Sequence, residues 1–416
     1  MDRLAPEIIV KTPGRHAALA FILITIMLDM LAMSIVLPVL PRLVLGFMHS
    51  NTVSASRIIG LFGTAWALMQ FIFSPVMGSL SDRFGRRPVI LISNFGLGFD
   101  YILMALAPGI GLLFVGRIIS GITGASMSTA QAYIADVSPP EKRAANFGLM
   151  SVAFGLGFIL GPAAGGLLGQ VDPRLPFWVA AGLSLANACY GYFVLPESLN
   201  PASRTAFSWG KANPLGSLNF LRNNSGLLPL AMVHFLLWLS RAVLPAIMVL
   251  YATYRYHLSI ASIGLFFAGV GLCSMIVGGL MVKPVVARLG ERTSLVIGLA
   301  FGAAGMVLFG SATTITMFCI AIPVMSLLGL ATPGLQGLMT TRIKSTEQGQ
   351  LQGSLGSVTA ISQMIGPGLF SLAFAESLAA QAPPGIPFYI AAILLLGGAG
   401  VAWSVGDLAR PQAATL

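Results

Sequence analysis

Twelve apolar runs, each long enough to cross a bilayer, divide this chain, and no other feature limits its fold so strongly. A helix needs about 20 apolar residues to span about 30 Å of hydrocarbon. The runs fall near residues 17–40, 57–80, 88–107, 111–135, 144–169 and 175–196. A second set follows near 226–250, 259–282, 293–311, 315–340, 352–379 and 385–406. The longest polar stretch separates the sets. The expected organisation is therefore an N-terminal six-helix bundle (1–196), a cytoplasmic linker (197–225) and a C-terminal six-helix bundle (226–416).

Composition agrees. Of 416 residues, 56% are hydrophobic and 9% charged, against about 25% charged in a soluble domain. A water-soluble enzyme, a nucleic-acid-binding protein and a disordered chain are excluded, even though the net charge is +10. The fold class is an all-α integral membrane protein. The first run exceeds the apolar core of a signal peptide, about 7–15 residues, and contains Asp29; it reads as an uncleaved first span. Cys189, Cys273 and Cys319 sit in separate apolar runs and the four histidines are scattered, so neither a metal site nor a cofactor is implied.

Charge placement orients the chain. Of the 23 Lys and Arg, seventeen lie in the termini and even-numbered loops, and four (Arg42, Arg57, Arg174, Arg255) in odd-numbered loops; Arg117 and Arg241 lie inside spans. Positive loops stay in the cytoplasm, which puts both termini and the linker there, as an even number of spans requires.

The halves also repeat. Gly85, Gly124, Gln131, Gly148 and Gly161–Pro162 recur 205 residues later as Gly290, Gly329, Gln336, Gly353 and Gly366–Pro367. Parallel six-helix repeats describe two bundles with a path between them, hence a transporter. There is no Walker A pattern, HExxH site or nucleophile elbow, so no catalysis or ATP hydrolysis is expected.

Between spans 2 and 3 stands Gly78-Ser79-Leu80-Ser81-Asp82-Arg83-Phe84-Gly85-Arg86-Arg87. This resembles the G-x-x-x-D-R-x-G-R-R signature of the major facilitator superfamily. Gly116-Arg117 with Gly121 and Gly124 resembles that superfamily's intramembrane Arg motif. Gly157-Phe158-Ile159-Leu160-Gly161-Pro162-Ala163-Ala164-Gly165-Gly166 resembles the motif of its drug:proton antiporters. Small residues let helices approach closely, and Pro162 removes a backbone bond and bends its span. The stretch 116–169, Leu37-Pro38-Val39-Leu40-Pro41 and Gln348-Gly349-Gln350-Leu351-Gln352-Gly353-Ser354 are similar to the tetracycline-resistance pumps of that superfamily. The resemblance implies a proton-coupled exporter in a bacterial inner membrane, working as a monomer on a small molecule. It departs at Gly302, where those pumps carry an acid, and near Ser274, where they carry a histidine. With both polar groups missing, it does not carry over a site for tetracycline with its chelated metal.

Four ionisable residues lie deep in spans: Asp29, Asp100, Arg117 and Arg241. A charge at the bilayer centre costs at least about 2.5–3.5 kcal/mol, so each should face a partner or a wet cavity. Asp100 and Arg117 flank the Pro108–Gly109 hairpin at equal spacing, which sets them at similar depth and predicts that they approach each other. A carboxyl moving between dry and wet surroundings near an Arg can load and release a proton, and the resemblance places an acid at Asp100. Asp29 is expected to line the path, to bond backbone near a kink at Leu37–Pro38, or to pair with His234 or Arg241. Arg241 alternatively meets an anionic group on the cargo. Trp66, Gln70, Gln131 and Gln336 are further pocket candidates. On the cytoplasmic side, Arg83 and Arg86 are predicted to pair with Asp82 or Asp136 and latch one conformation. The expected function is proton-coupled export of an amphipathic small molecule or drug; the alternatives are a proton symporter or uniporter for a small metabolite, anionic if it meets Arg241, and a receptor or scaffold without transport.

Overall fold

The computed structural model describes residues 15–124, 127–205, 218–344 and 347–405. Of the Lys and Arg counted above in the termini and loops, Arg3, Lys11, Lys211 and Arg410 lie outside them, as do Ala125 of the 116–169 stretch and the middle of the linker. Among the described residues, twelve helices are long and apolar enough to cross a membrane: α1 (Ala18–Phe47), α2 (Thr52–Phe84), α3 (Arg86–Ala105), α4 (Ile110–Val137), α5 (Ala145–Val171), α6 (Leu175–Val194), α7 (Leu228–Tyr256), α8 (Ile260–Leu289), α9 (Glu291–Ser311), α10 (Ile315–Thr340), α11 (Gln348–Ala379) and α12 (Ile386–Ser404). The count matches the apolar runs, but several helices overrun them. At about 1.5 Å per residue, the 33 residues of α2 exceed the hydrocarbon thickness. Arg42 and Arg57 consequently stand on helix rather than in loops.

Large apolar side chains such as Val171 and Phe193, each 81% exposed, project outward, where lipid replaces the interior of a soluble protein. Helices of one half pack mainly on one another: α1 on α5 and α6, α3 on α6, α9 on α12, α7 on α12. The halves meet principally through α2 with α11 and α5 with α8.

Breaks in the helices follow the repeat. Span α1 is interrupted after Ile35 and resumes at Leu40, and α7 is interrupted at Ala242. Span α10 tightens into a 3₁₀ turn at Leu327–Leu330, around Gly329, the counterpart of Gly124 where the first segment of α4 ends. The α5 helix continues through Pro162.

Contacts between the halves concentrate at the end carrying the odd-numbered loops. There the Ser56 hydroxyl donates to the Ser371 carbonyl (2.8 Å), and Arg57 pairs with Glu376 (2.7 Å). A carbon added to Gly60 would lie 2.8 Å from Ser371 Cβ, and one added to Gly166 2.7 Å from the Ile260 carbonyl. Toward the other end of the same four helices, a carbon on Gly78, Gly148, Gly278 or Gly349 meets open space. The halves are packed together at the odd-loop end, and these four glycines farther along the same helices are uncovered.

Candidate functional site

Two sets of polar side chains lie at membrane depth. The first is in the N-terminal half. Asp29 is enclosed by amides: Asn187 Nδ2 donates to Asp29 Oδ1 (2.8 Å) and to the Thr25 carbonyl (3.0 Å). The Asn94 amide, oriented to suit its neighbours, donates to both Asp29 oxygens (3.1 and 3.3 Å). The expected pairing of Asp29 with His234 or Arg241 is not formed. The reason is that α3 and α6, in the same half, supply donors at closer range. Neither Asn94 nor Asn187 was singled out in the sequence, although an Asn inside an apolar run was the available signal.

Asp100 is 1% exposed, and neither of its oxygens makes a hydrogen bond of ordinary geometry, the Ser120 side chain and Arg117 being its polar neighbours. It sits against the α4 backbone, where a carbon on Gly116 would come within 3.0 Å of its Oδ1. The hairpin brings α4 beside it, as the spacing predicts, but the ion pair is not made. Arg117 instead directs Nη2 to Met104 Sδ (3.2 Å), its Nε is unpartnered, and the Ser120 hydroxyl donates to the Arg117 carbonyl (3.3 Å). A buried carboxyl and a neighbouring guanidinium are thus held apart in this conformation.

The second set is in the C-terminal half, around a cavity of about 260 Å³ between α7, α10 and α11. His234, Trp238, Thr332, Gln336, Gln352 and Thr359 give it polar walls, and His234 Nε2 shares a hydrogen bond with Thr359 Oγ1 (2.8 Å). Of the pocket candidates, His234 and Gln336 line this cavity; Trp66, Gln70 and Gln131 do not. A carbon on Gly121 would strike the Trp66 backbone, and one on Gly124 the Gln70 amide (2.9 Å), so the Trp66 backbone and the Gln70 side chain pack α2 on α4. Gln131 is exposed. Arg241 stacks over Trp238 at 5.3 Å.

At the α2–α3 turn, Gly85 has φ +107°, a conformation that favours glycine, and a carbon there would run into the Glu197 carboxylate. Arg86 bridges two acids, with Nη1 at 2.5 Å from Asp82 Oδ1 and Nε at 3.2 Å from Asp136 Oδ2. Arg83 takes no carboxylate and lies over Phe84 (5.1 Å). Arg87 lies over Tyr192 and donates to its carbonyl. Glu197, absent from the sequence candidates, accepts from the backbone N–H groups of Arg86 (2.9 Å) and Arg87 (3.3 Å). It satisfies the exposed donors at the start of α3. Only the fold shows that the end of α6 returns to this turn.

The glycine face of α5 is a contact surface. Gly157 packs on Met30 and Leu31 of α1, and its carbonyl accepts from the Ser34 hydroxyl (2.8 Å). A carbon on Gly161 or Gly165 would strike Ser34 or the Ile35 carbonyl, and Gly264 of α8 abuts the Pro162 carbonyl.

The Major Facilitator Superfamily model matches residues 22–238 and 230–415, which together take in nearly the whole of this helical frame. The chain belongs to the Major Facilitator Superfamily. Among superfamily members, it is 38% identical to the class C tetracycline resistance protein of Escherichia coli, over 91% of this chain and 94% of that one. It is 36% identical to the class G protein of Vibrio anguillarum, over 92% and 96%. In structure it is similar to the nucleoside transporter NupG (TM-score 0.76, 12% identity, 93% and 99% covered). As a member of this superfamily the chain is a multi-pass membrane protein. Of two positions singled out in the sequence, Gly302 is packed so closely on α10 that a carbon there would lie 2.6 Å from Leu328 Cδ1, and Ser274 is exposed on α8.

Proposed function

We propose that this chain is a secondary active exporter that exchanges protons for an amphipathic small molecule by alternating access. The observation that carries the reading is Asp100, a carboxyl buried at membrane depth with no hydrogen bond of ordinary geometry beside the helix that bears Arg117. A bare charge in such a place is costly, so it is met either by a proton or by the guanidinium. Movement that brings Arg117 onto Asp100 displaces the proton; movement that withdraws it restores the need for one. The relatives named tetracycline resistance proteins support export of a drug. The filled space at Gly302 favours a cargo bound differently from metal-chelated tetracycline.

In this reading residues 1–196 and 226–416 are the two rocking units, joined by 197–225. Both termini face the cytoplasm of a bacterial inner membrane, and one chain suffices. Asp29, held by two amides, is a second protonatable position. The cluster of Gly78, Asp82, Arg83, Gly85, Arg86, Arg87 and Asp136 gates the cytoplasmic side. The α5 face of Gly157, Gly161, Pro162, Gly165 and Gly166 is the surface on which α1 and α8 slide. His234 and Gln336 contact the cargo.

The test is proton release from acid-loaded inverted membrane vesicles, followed with a pH-gradient dye as tetracycline and other amphipathic drugs are added. A drug-triggered collapse of the gradient is expected from the native chain and not from Asp100→Asn vesicles containing the same amount of protein. An equal collapse in the variant removes Asp100 from the coupling.

A further inference from the structure

The α7 helix breaks at Ala242, and its first segment ends at Arg241. His234, Trp238 and Arg241 are spaced i, i+4 and i+7, which places them on one face. The first two line the cavity. The third continues the same face at mid-span, its guanidinium stacked on Trp238. Arg241 forms no ion pair and no hydrogen bond among the described residues.

The cavity has apolar wall from Leu335, Met339 and Leu355, and no Asp or Glu among its lining residues. Nearby acids are engaged elsewhere: Asp29 with Asn187, Glu376 with Arg57, Glu347 with the Lys344 backbone. Glu291 lies against Gly337 at the start of α9. Two donors on cavity residues are buried without partners, the Trp238 indole N–H and the Thr332 hydroxyl. The cavity lining therefore withholds every carboxylate, and its α7 face leads to a planar cation next along the helix.

We infer that this cavity takes an amphipathic anion: an apolar, ring-bearing body with one ionised acidic oxygen laid against Arg241 and neutral acceptor oxygens met by Trp238 and Thr332. A guanidinium at membrane depth needs an anionic partner, the protein supplies none, and its fork suits a carboxylate or similar group. The inference rests on the export reading only in taking this cavity as the cargo's. It adds the sign of the cargo's charge.

The experiment is equilibrium binding to the full chain in nanodiscs of zwitterionic lipid, read by fluorescence anisotropy. Three probes share one ring system: anthracene-2-carboxylate, anthracene-2-carboxamide and the cationic 2-(aminomethyl)anthracene. Empty nanodiscs correct for partitioning. The carboxylate is expected to bind at least about tenfold more tightly than the amide, with the cation no better than in empty discs. Arg241→Gln is expected to reduce the carboxylate to the affinity of the amide, and Arg241→Lys to keep part of the preference. Equal binding of the three probes, or preference for the cation, overturns the inference on the native chain alone, whether or not a variant folds. A preference that survives in folded Arg241→Gln also overturns it. The proton-release assay separates the two readings. Carboxylate preference without proton release removes the coupled-export reading and keeps the anion site; proton release driven by cations alone does the reverse.

Discussion

At the α2–α3 turn Gly85 has φ +107°, and at the α8–α9 turn, 205 residues on, Gly290 has φ +79°. Two residues past each glycine an arginine stacks on an aromatic ring near the end of that half's last helix, Arg87 on Tyr192 and Arg292 on Trp403. Each also donates to the backbone carbonyl of the residue it covers. The corner is built twice. Its other charges are not, because at the same offset Asp82, Arg86, Asp136 and Glu197 correspond to Ala287, Glu291, Thr341 and Ala402. Deeper in the membrane, Asn94, Asp100, Arg117 and Asn187 correspond to Leu299, Gly305, Ile322 and Ala392. Backbone geometry recurs because both halves must close the same packing. The buried carboxyls, costly wherever lipid is the solvent, are kept in the N-terminal half, while the C-terminal half keeps Arg241. The N-terminal half holds the carboxyl chemistry and the C-terminal half holds the cavity.

The largest expected break in this comparison is Arg86→Ala, which removes a guanidinium that is 10% exposed and leaves Asp82 and Asp136 facing each other without it. A loss of about 3 kcal/mol is expected, the low end for a broken buried pair because both acids keep some solvent, seen as a lower melting temperature of the purified protein. Glu291→Ala, its counterpart, should cost at most about 1 kcal/mol, the value of an acid at a helix start. Comparable losses at both turns would show that the charges are as structural as the glycines. Next comes the shared frame. Gly165→Val drives a side chain into the Ile35 carbonyl and should cost about 3 kcal/mol, whereas Gly148→Val, facing open space, should stay within about 0.5 kcal/mol. Similar melting curves for the two would count against tight α1–α5 packing.

Arg117→Lys sharpens the functional side of the comparison. A point charge cannot replace a fork that must reach Asp100 from its place beside Met104, so transport should fall to about a tenth or less with normal protein levels. Full activity in the vesicle assay would show that any cation serves. The smallest effect belongs to Arg57 and Glu376, which join α2 to α11 with both side chains more than half exposed. Arg57→Gln should move the balance of conformations by at most about 1 kcal/mol. Spin labels at Thr52 and Ala380 would report this as a modest rise in the longer distance, and a complete opening would mean that this pair alone closes the odd-loop end.

Much of the site's frame was legible in the residues. Arg83 and Arg86 were expected to pair with Asp82 or Asp136, of which Arg86 alone does so, taking both, and the hairpin arithmetic brought α4 beside Asp100. What was illegible depended on rotation about helix axes. Equal depth did not reveal that Arg117 turns to Met104, nor that Asp29 faces Asn94 and Asn187 instead of His234. Glu197 was hidden for another reason: it lies 111 residues from the N–H of Arg86 that it caps, and nothing local marks such a contact.

Sequence alone determined that this chain lives in a membrane, that it crosses twelve times, and that its halves repeat. Those properties follow from hydrophobic length and from glycines at a fixed offset, which act through local backbone and solvent. Tertiary structure alone decided which polar groups meet, at which end the halves pack together, and that Arg241, next to the cavity on α7, has no acid. Those properties depend on the facing of whole helices, and facing is set by the packing of side chains that are far apart in the chain.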